Sequence, residues 1–217
     1  MSSEPSTAQS LREAILQGNM DLARTLTEQA LAEDVDPLAL VDEQMVPAMD
    51  EMGRRFDCSE AFVPELLLAA RAMKGAMEVV GPPLAEAGRE PVGRAVVGTV
   101  QGDLHDIGKN LVGSMLEGAG FEVRDLGVNV PPEQFVAAVK KEPVHIVGLS
   151  ALLTTTMMAM KATVQAIREA DPGGEVKVMV GGVPITQKFA DQIGADGYGV
   201  NAVEAVALAR EVLAGGR

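Results

Sequence analysis

The feature that most constrains the fold is an alternation, beyond residue 93, of five short strand-like segments, several of them apolar, with segments of helical periodicity. The five segments have the length of strands, and most of them contain valine or isoleucine. Strands that alternate with helices form a parallel sheet covered on both faces, with right-handed crossovers. We expect strands at Ala95–Val100, Phe121–Leu126, His145–Leu149, Val176–Val180 and Gly197–Gly199. We expect helices at Asp106–Gly118, Pro132–Lys140, Thr155–Ala170, Ile185–Ile193 and Ala202–Leu213.

The first part of the chain, up to about Leu84, has helical periodicity throughout. Asn19 is a candidate N-cap, Pro47 is expected to bend or end the third helix, and Pro64 suits the first turn of the fourth. We expect helices at Ser10–Leu16, Met20–Ala32, Asp36–Phe56 and Pro64–Val80. Four helices joined by short loops predict a small bundle.

A stretch rich in glycine and proline, residues 81–93, separates the two patterns and indicates an interdomain linker. We therefore expect a helical domain at residues 1–84, a linker at 85–93 and an α/β domain at 94–217.

Composition excludes several classes of protein. The chain has 18 basic and 31 acidic residues and a formal net charge of −13, which argues against a nucleic-acid binder and against docking on an anionic membrane. Its single cysteine, Cys58, excludes an intrachain disulfide framework and a four-cysteine metal site. The polar N-terminus shows no signal-peptide pattern, and no run approaches the ~18 apolar residues of a membrane span. We expect a cytoplasmic protein.

The loop after the first expected strand, residues 98–110, contains the most informative pattern. In an open parallel sheet, ligands bind beyond the carboxyl ends of the strands. The glycines at 98, 102 and 108 do not have the G-x-G-x-x-G spacing of a dinucleotide site, and no lysine is followed by Ser or Thr as in a P-loop. The loop instead holds one histidine, His105, between the carboxylates of Asp103 and Asp106.

The spacing of Asp103 and His105 allows the carboxylate to accept the proton of one imidazole nitrogen and to leave the other nitrogen for a metal. A bare zinc or iron ion needs three or four protein ligands, and His145 is expected at the opposite end of the sheet. The pattern therefore suits a metal whose other positions belong to a cofactor. Spacing alone leaves open the alternative of a histidine with a purely structural hydrogen bond.

These residues resemble the signature of cobalamin-binding domains in which a histidine replaces the cofactor's own benzimidazole as the lower axial ligand. Three motifs occur in the order of that family, each after the expected strand: Asp103-x-His105-x-x-Gly108, Ser150-x-Leu152 and Gly181-Gly182. Segments 49–56 and 62–66 resemble the helical cap of corrinoid proteins of methanol, methylamine and aryl-ether methyl transfer, and of the cobalamin module of methionine synthase. The likeness extends from about Ser10 to Ala214, with departures at Cys58-Ser59 and Asn201.

The resemblance implies a Rossmann-like (flavodoxin-like) five-stranded parallel sheet with an N-terminal four-helix bundle as cap. It implies cobalamin (methylcobalamin or a related corrinoid) bound base-off with His105 as the lower ligand of cobalt. Asp103 would accept the imidazole proton, or serve as a helix N-cap. Ser150 would hydrogen-bond either the nucleotide tail or the Asp103–His105 pair. Asp103, His105 and Ser150 are therefore the expected catalytic residues.

The same resemblance implies further cofactor contacts. Gly108 would let the tail pass close to the backbone, although a simple turn glycine is the alternative. Thr154 would line the tail slot, although the hydroxyls of Ser150 and Thr154 could instead cap the following helix. A valine at Gly182 would block that slot more than it would harm folding. Met49, Phe56 and Phe62 would form an apolar lid; bundle core is the alternative for Met49 and the expectation for Met45. The other implied contacts are Gly102, Asp106, Leu152, Gly181, Tyr198 and Ala202.

The function implied is that of a methyl carrier, a component of a methyltransferase system rather than a complete enzyme. Its partners would be a substrate-specific methyltransferase, an acceptor methyltransferase that uses a thiol or a tetrahydropterin, and a corrinoid-reactivating protein. Two alternatives are a cobalamin-dependent sensor and a mutase-type cobalamin-binding subunit. A sensor would need an effector module, and mutase subunits resemble only the C-terminal half.

Overall fold

The computed structural model describes residues 7–87 and 91–214. The first six residues, and residues 88–90 of the expected linker, lie outside the described residues. The chain divides into two compact units, residues 1–90 with 117–120 and residues 91–116 with 121–217. Within the described ranges, no helix is both long enough and apolar enough to cross a membrane.

The first unit is helical. Its elements are α1 (Thr7–Leu16), α2 (Met20–Ala32), α3 (Pro37–Leu40), a π-helical turn (Val41–Met45), α4 (Val46–Asp57) and α5 (Val63–Glu86). The predicted cap of α2 is confirmed, because the Asn19 side chain accepts a hydrogen bond of 3.1 Å from the backbone N–H of Leu22. Apolar faces of these helices form the core of the unit, which includes Leu11, Ile15, Met45 and Leu66.

Two helix boundaries in this unit differ from the expectation. The expected third helix is divided into α3, the π-helical turn and α4; the turn ends at Met45, and Pro47 lies in the first turn of α4, where its missing N–H is tolerated. Helix α5 continues past Val80 to Glu86 and contains Pro82 and Pro83. The expectation of a linker from residue 81 onward is therefore wrong over its first residues. The fixed φ of proline is compatible with a helix, and Glu78, one turn before Pro82, is exposed to water.

The second unit is built on a parallel sheet, as predicted. Its strands are β1 (Arg94–Thr99), β2 (Glu122–Asp125), β3 (Ile146–Ser150), β4 (Lys177–Gly181) and β5 (Gly197–Gly199), in the order β2-β1-β3-β4-β5. The helices are α6 (Ile107–Gly118), α7 (Pro132–Lys141), α8 (Met157–Ala170), α9 (Gln187–Ile193) and α10 (Ala202–Ala214). Valines of the central strands pack with Phe135 of α7 and Met160 of α8 in a continuous core.

The strand register aligns the loops that carry the sequence motifs. Thr99 pairs with Ser150, Ser150 with Gly181, and Gly181 with Gly199, so four strands end in one row. The chain direction across the sheet reverses between β1 and β3, which makes the carboxyl ends of these strands the switch point where α/β proteins bind ligands.

Candidate functional site

Asp103 is the centre of the candidate site, and its side chain is fully buried. Carboxylate oxygen Oδ1 accepts hydrogen bonds from Nδ1 of His105 at 2.7 Å and from the backbone N–H of the same residue at 3.1 Å. The proton between the carboxylate and the imidazole belongs to Nδ1, because an ionised carboxylate can only accept. Asp103 therefore fixes both the orientation of the ring and its tautomer.

The second oxygen of Asp103 connects this loop to the loop after β3. Oδ2 accepts from the backbone N–H of Leu152 at 2.7 Å, from that of Leu153 at 3.2 Å, and from the hydroxyl of Thr156 at 2.8 Å. Burial alone would raise the pKa of the Asp103 carboxyl, but the hydrogen bonds from His105, Leu152 and Thr156 outweigh it and hold the pKa well below its ordinary value. The group is thus an anion at neutral pH.

The imidazole of His105 is presented to solvent, with half of its side chain exposed (50%). Since Nδ1 is held by Asp103, Nε2 is the nitrogen available to a metal. The described part of the chain holds no group of three or more His, Cys, Asp or Glu side chains that could bind a metal ion. A single oriented imidazole fits a metal whose remaining ligands belong to a cofactor, such as the cobalt of a corrinoid.

His145, the second histidine, lies at the opposite end of the sheet, as predicted. Its Nδ1 accepts a hydrogen bond of 2.9 Å from the backbone N–H of Arg94, the first residue of β1. It is therefore far from the carboxyl ends of the strands and does not contribute to the candidate site.

Thr156 is the functional residue that the sequence analysis missed. Ser150 had been the hydroxyl expected at the tail or at the Asp103–His105 pair, but the hydroxyl that reaches Asp103 is that of Thr156. Thr156 is buried, whereas the neighbouring Thr154 is exposed. A signal was available in the sequence: Thr156 is four residues before Met160 and so shares the buried face of the helix that follows.

Exposed apolar side chains lie in the loops that follow the carboxyl ends of the strands, the loop of His105 among them. Ile107, in the first turn of α6, is 76% exposed. The other exposed apolar side chains of these loops are Leu104, Val128, Leu152, Leu153, Val183 and Val200. Several exposed apolar side chains at one edge of a sheet are typical of a binding surface for a largely apolar ligand.

The glycines of the motifs have different structural roles. A Cβ built on Gly108 would meet no atom within 4 Å, so this position is open to an approaching ligand. A Cβ on Gly182 would lie 1.8 Å from the carbonyl oxygen of Ala151, and Gly182 has a φ of +129°. The expectation that a valine at 182 would block a slot more than it harmed folding is therefore wrong, because the backbone itself requires glycine there. A Cβ on Gly181 would lie 3.2 Å from the carbonyl oxygen of Gly199.

Further expected contacts in the α/β unit are placed as follows. Gly102 has a φ of +85° and lies next to Asp103. The side chain of Asp106 accepts a hydrogen bond of 3.2 Å from Asn110. Tyr198 is half-buried against the core, and Ala202 is buried at the start of α10, so of the two it is Ala202 that offers little surface to a ligand.

The expected lid residues of the helical unit differ in exposure. Met49 is buried, as is Met45, for which core was the expectation. Phe56 is half-buried. Phe62 is 61% exposed, and of these four side chains it offers the largest apolar surface to a ligand.

Two further polar residues brace the loop that contains His105. The side chain of Asn129 accepts a hydrogen bond of 2.8 Å from the N–H of Gly102, and its own N–H donates to the carbonyl of Asp103 at 2.9 Å. Lys109 is buried and forms an ion pair with Asp125 at the end of β2. Neither residue was singled out from the sequence, because their partners are distant in the chain.

Comparisons with known proteins agree with this geometry. A family model described as "B12 binding domain" matches residues 93–207, and a second model with the same description matches residues 7–80. The chain is 40% identical over 215 residues to trimethylamine corrinoid protein 1 of Methanosarcina acetivorans, covering 98% of this chain and 100% of the relative. The chain belongs to the family of B12-binding corrinoid proteins.

Two further relatives agree with that membership. The dimethylamine corrinoid protein of Methanosarcina barkeri is 41% identical over 207 residues, which are 95% of this chain and 97% of the relative. A chain in the crystal structure of the methanol:cobalamin methyltransferase complex of Methanosarcina barkeri superposes with a TM-score of 0.82 at 30% identity, covering 98% of this chain and 81% of that one. The resemblance seen in the sequence motifs is confirmed.

Proposed function

We propose that this protein is a methyl carrier that binds a corrinoid with its own base displaced and with His105 as the lower ligand of cobalt. The observation that carries the proposal is the pair formed by the buried Asp103 and the exposed His105, at the carboxyl edge of the sheet. When bound, the corrinoid supplies a cobalt centre that takes up a methyl group and gives it away.

The residues of this chain would bind and orient that centre. Asp103 keeps the proton on Nδ1 of His105, so that Nε2 can ligate the metal, and strengthens the imidazole as a ligand. Thr156, Leu152 and Leu153 hold the carboxylate in place. The exposed apolar side chains of the loops at this edge of the sheet would contact one face of the corrin ring and exclude water from it.

The displaced nucleotide tail would occupy the space next to the same loops. Gly108 is open, so a tail can approach the backbone of α6 there. Ser150 and Thr154 would offer hydroxyl groups to it, and Gly181, whose surroundings are already tight, would keep the slot free of a side chain. In the helical unit, Phe62 would present an apolar surface to the methyl-bearing face of the corrin.

The relatives support a carrier that works with separate enzymes. The superposed chain belongs to a methanol:cobalamin methyltransferase complex, and other relatives are corrinoid proteins for trimethylamine and dimethylamine. We infer a substrate-specific methyltransferase as donor partner, an acceptor methyltransferase that uses a thiol or tetrahydropterin, and a reactivating protein. Full-length relatives also disfavour a mutase subunit, which would resemble the C-terminal half alone. We expect the protein in the cytoplasm, where a single exposed cysteine such as Cys58 is unexceptional.

The test is a reconstituted half-reaction. The protein is loaded with cobalamin, reduced, and mixed with a methylated amine or methanol and a candidate partner methyltransferase, while the cobalt absorption spectrum is followed. We expect a spectral change that needs donor and partner together and that is slowed in His105→Ala. Methyl iodide, which alkylates reduced cobalamin directly, is the positive control. If methyl iodide produces the spectral change but no combination of partner and donor does, the methyl-carrier function is contradicted.

A further inference from the structure

Thr99 is a fully buried polar residue at the end of β1 that the proposed function does not use. Its hydroxyl donates a hydrogen bond of 2.9 Å to the backbone carbonyl oxygen of His105. A threonine at the end of a strand is usually explained by its β-branched shape. Here the hydroxyl connects the strand directly to the residue that would ligate the metal.

The frame that holds Thr99 is rigid. Its N–H donates to the carbonyl of Gly127 at 3.0 Å, and its carbonyl accepts from the N–H of Val130 at 2.9 Å. On the other side of β1, Thr99 is paired with Ser150 of β3. Both neighbouring segments therefore fix the position of the Thr99 hydroxyl.

His105, by contrast, lies in an exposed loop. Gly102, Leu104 and Asp106 around it are all exposed, so packing does little to hold this part of the backbone. The bonds from His105 to Asp103 fix the ring and the N–H. The bond from Thr99 fixes the carbonyl, at the other end of the residue. Anchors at both ends hold a side chain more precisely than one anchor does.

We propose that Thr99 is a positioning residue that sets the position of the His105 backbone so that Nε2 can reach the cobalt. This inference rests on the proposed function. Loss of a supporting partner typically weakens metal ligation ~10–100-fold. Because Thr99 acts on the backbone rather than on the ring, we expect the low end, about tenfold.

Three variants isolate the hydroxyl. Thr99→Val removes it with almost no change of shape, and Thr99→Ser restores it without the methyl group. The matched control is Thr163→Val in α8, since Thr163 is equally buried and its hydroxyl donates to the carbonyl of Ala159 at 2.9 Å, away from the site. If Thr99→Val does not fold, Thr99→Ala replaces it, because it also lacks the hydroxyl and adds no bulk.

Each protein is loaded with cobalamin, and two properties of the cobalt are measured. Electron paramagnetic resonance of the cobalt(II) form, with ¹⁵N-labelled histidine, gives the fraction with a histidine ligand, and spectroelectrochemistry gives the cobalt(II)/cobalt(I) midpoint potential. Under the proposed ligation the imidazole would bind cobalt(II) and be released on reduction, so that tenfold weaker ligation would raise the potential by about 59 mV. We expect that rise in Thr99→Val, recovery in Thr99→Ser and no shift in Thr163→Val. Thermal unfolding of the unloaded proteins gives the general cost of losing a hydroxyl.

The results distinguish the role of Thr99 from the proposed ligation of cobalt by His105. If wild-type protein shows no coupling to a histidine nitrogen, the proposed ligation is wrong and this inference falls with it. If wild-type protein shows the coupling, but Thr99→Val keeps the wild-type potential and coupling, the role of Thr99 is refuted while the proposed function stands. An equal shift in Thr163→Val would also refute it, because the effect would then be general to the domain.

Discussion

Replacing Asp103 with asparagine should change which nitrogen of His105 carries the proton. Asp103 accepts five hydrogen bonds, two on Oδ1 from His105 and three on Oδ2 from Leu152, Leu153 and Thr156. Asparagine has the same shape but only one accepting oxygen, and its NH₂ group can only donate. The variant must therefore direct the NH₂ group at one of these two sets of donors.

The two orientations differ in the number of backbone N–H groups left without an acceptor. If the NH₂ group replaces Oδ2, the backbone N–H groups of Leu152 and Leu153 both lose their acceptor. If it replaces Oδ1, only the backbone N–H group of His105 loses its acceptor. An unsatisfied buried donor costs about 1–3 kcal/mol, so the second orientation is favoured by about that amount. In it, Nδ1 of His105 faces a donor and must accept, which moves the ring proton to Nε2 and removes the lone pair that would bind the metal.

We therefore expect Asp103→Asn to lower the free energy of unfolding by about 1–3 kcal/mol and to weaken histidine ligation by a factor of ~10–100. Urea denaturation of the unloaded protein measures the first effect, and paramagnetic resonance of the cobalt(II) form measures the second. Asp191→Asn is the control, because the Asp191 carboxylate accepts from Gln187 on the surface of α9. An Asp103→Asn protein that kept full histidine coupling would refute the tautomer argument.

Three other results follow from the structure. Because the fold holds the pKa of Asp103 below its ordinary value, the stabilisation that this carboxylate provides is complete above about pH 5 and is lost as the pH falls toward the folded-state pKa. Urea titrations from pH 5 to 2.5 should therefore show a steeper loss of stability in wild type than in Asp103→Asn. Gly182→Ala should prevent folding, which circular dichroism would show. Gly174 also has a positive φ, +69°, but open space around it, so Gly174→Ala should lower the free energy of unfolding by only about 1–2 kcal/mol. Asn19→Ala should cost about 1 kcal/mol in urea denaturation, since it removes the cap of α2.

The fold of the α/β unit could be predicted because each strand and each helix is indicated by residues that are close together in the sequence. The strands at 95–100, 145–149 and 176–180 are short and mostly apolar, the helices between the strands have helical periodicity, and strand Gly197–Gly199 agrees with its prediction to the residue. The ends of helices were predicted less accurately where proline is present, because proline can either end a helix or lie within it. Prolines 82 and 83 indicate a linker, but α5 includes them and ends soon after, at Glu86; the fixed φ of proline agrees with a helix, although each ring removes an N–H donor and crowds the carbonyl one turn earlier.

The site could be predicted only in part, because its hydrogen bonds join residues far apart in the chain. The Asp103–His105 pair was predicted because the two residues are neighbours. The contact between Asp103 and Thr156 spans 53 residues and depends on the turn at 154–156, which places the third hydroxyl of the run toward the carboxylate. The roles of Thr99 and Asn129 could not be predicted from the sequence, because each side chain forms a hydrogen bond with the backbone of the His105 loop and belongs to no recognisable motif.

The ligation of cobalt by His105 is tested most directly by labelling, since the chain has only two histidines. Protein grown with ¹⁵N-histidine and loaded with cobalamin is reduced to cobalt(II), and its paramagnetic resonance spectrum is recorded for wild type, His105→Asn and His145→Asn. We expect coupling to one labelled nitrogen in wild type and in His145→Asn, and none in His105→Asn. Coupling to the unlabelled base of the cofactor in wild type, or labelled coupling that persists in His105→Asn, would contradict the assignment of His105 as the lower ligand.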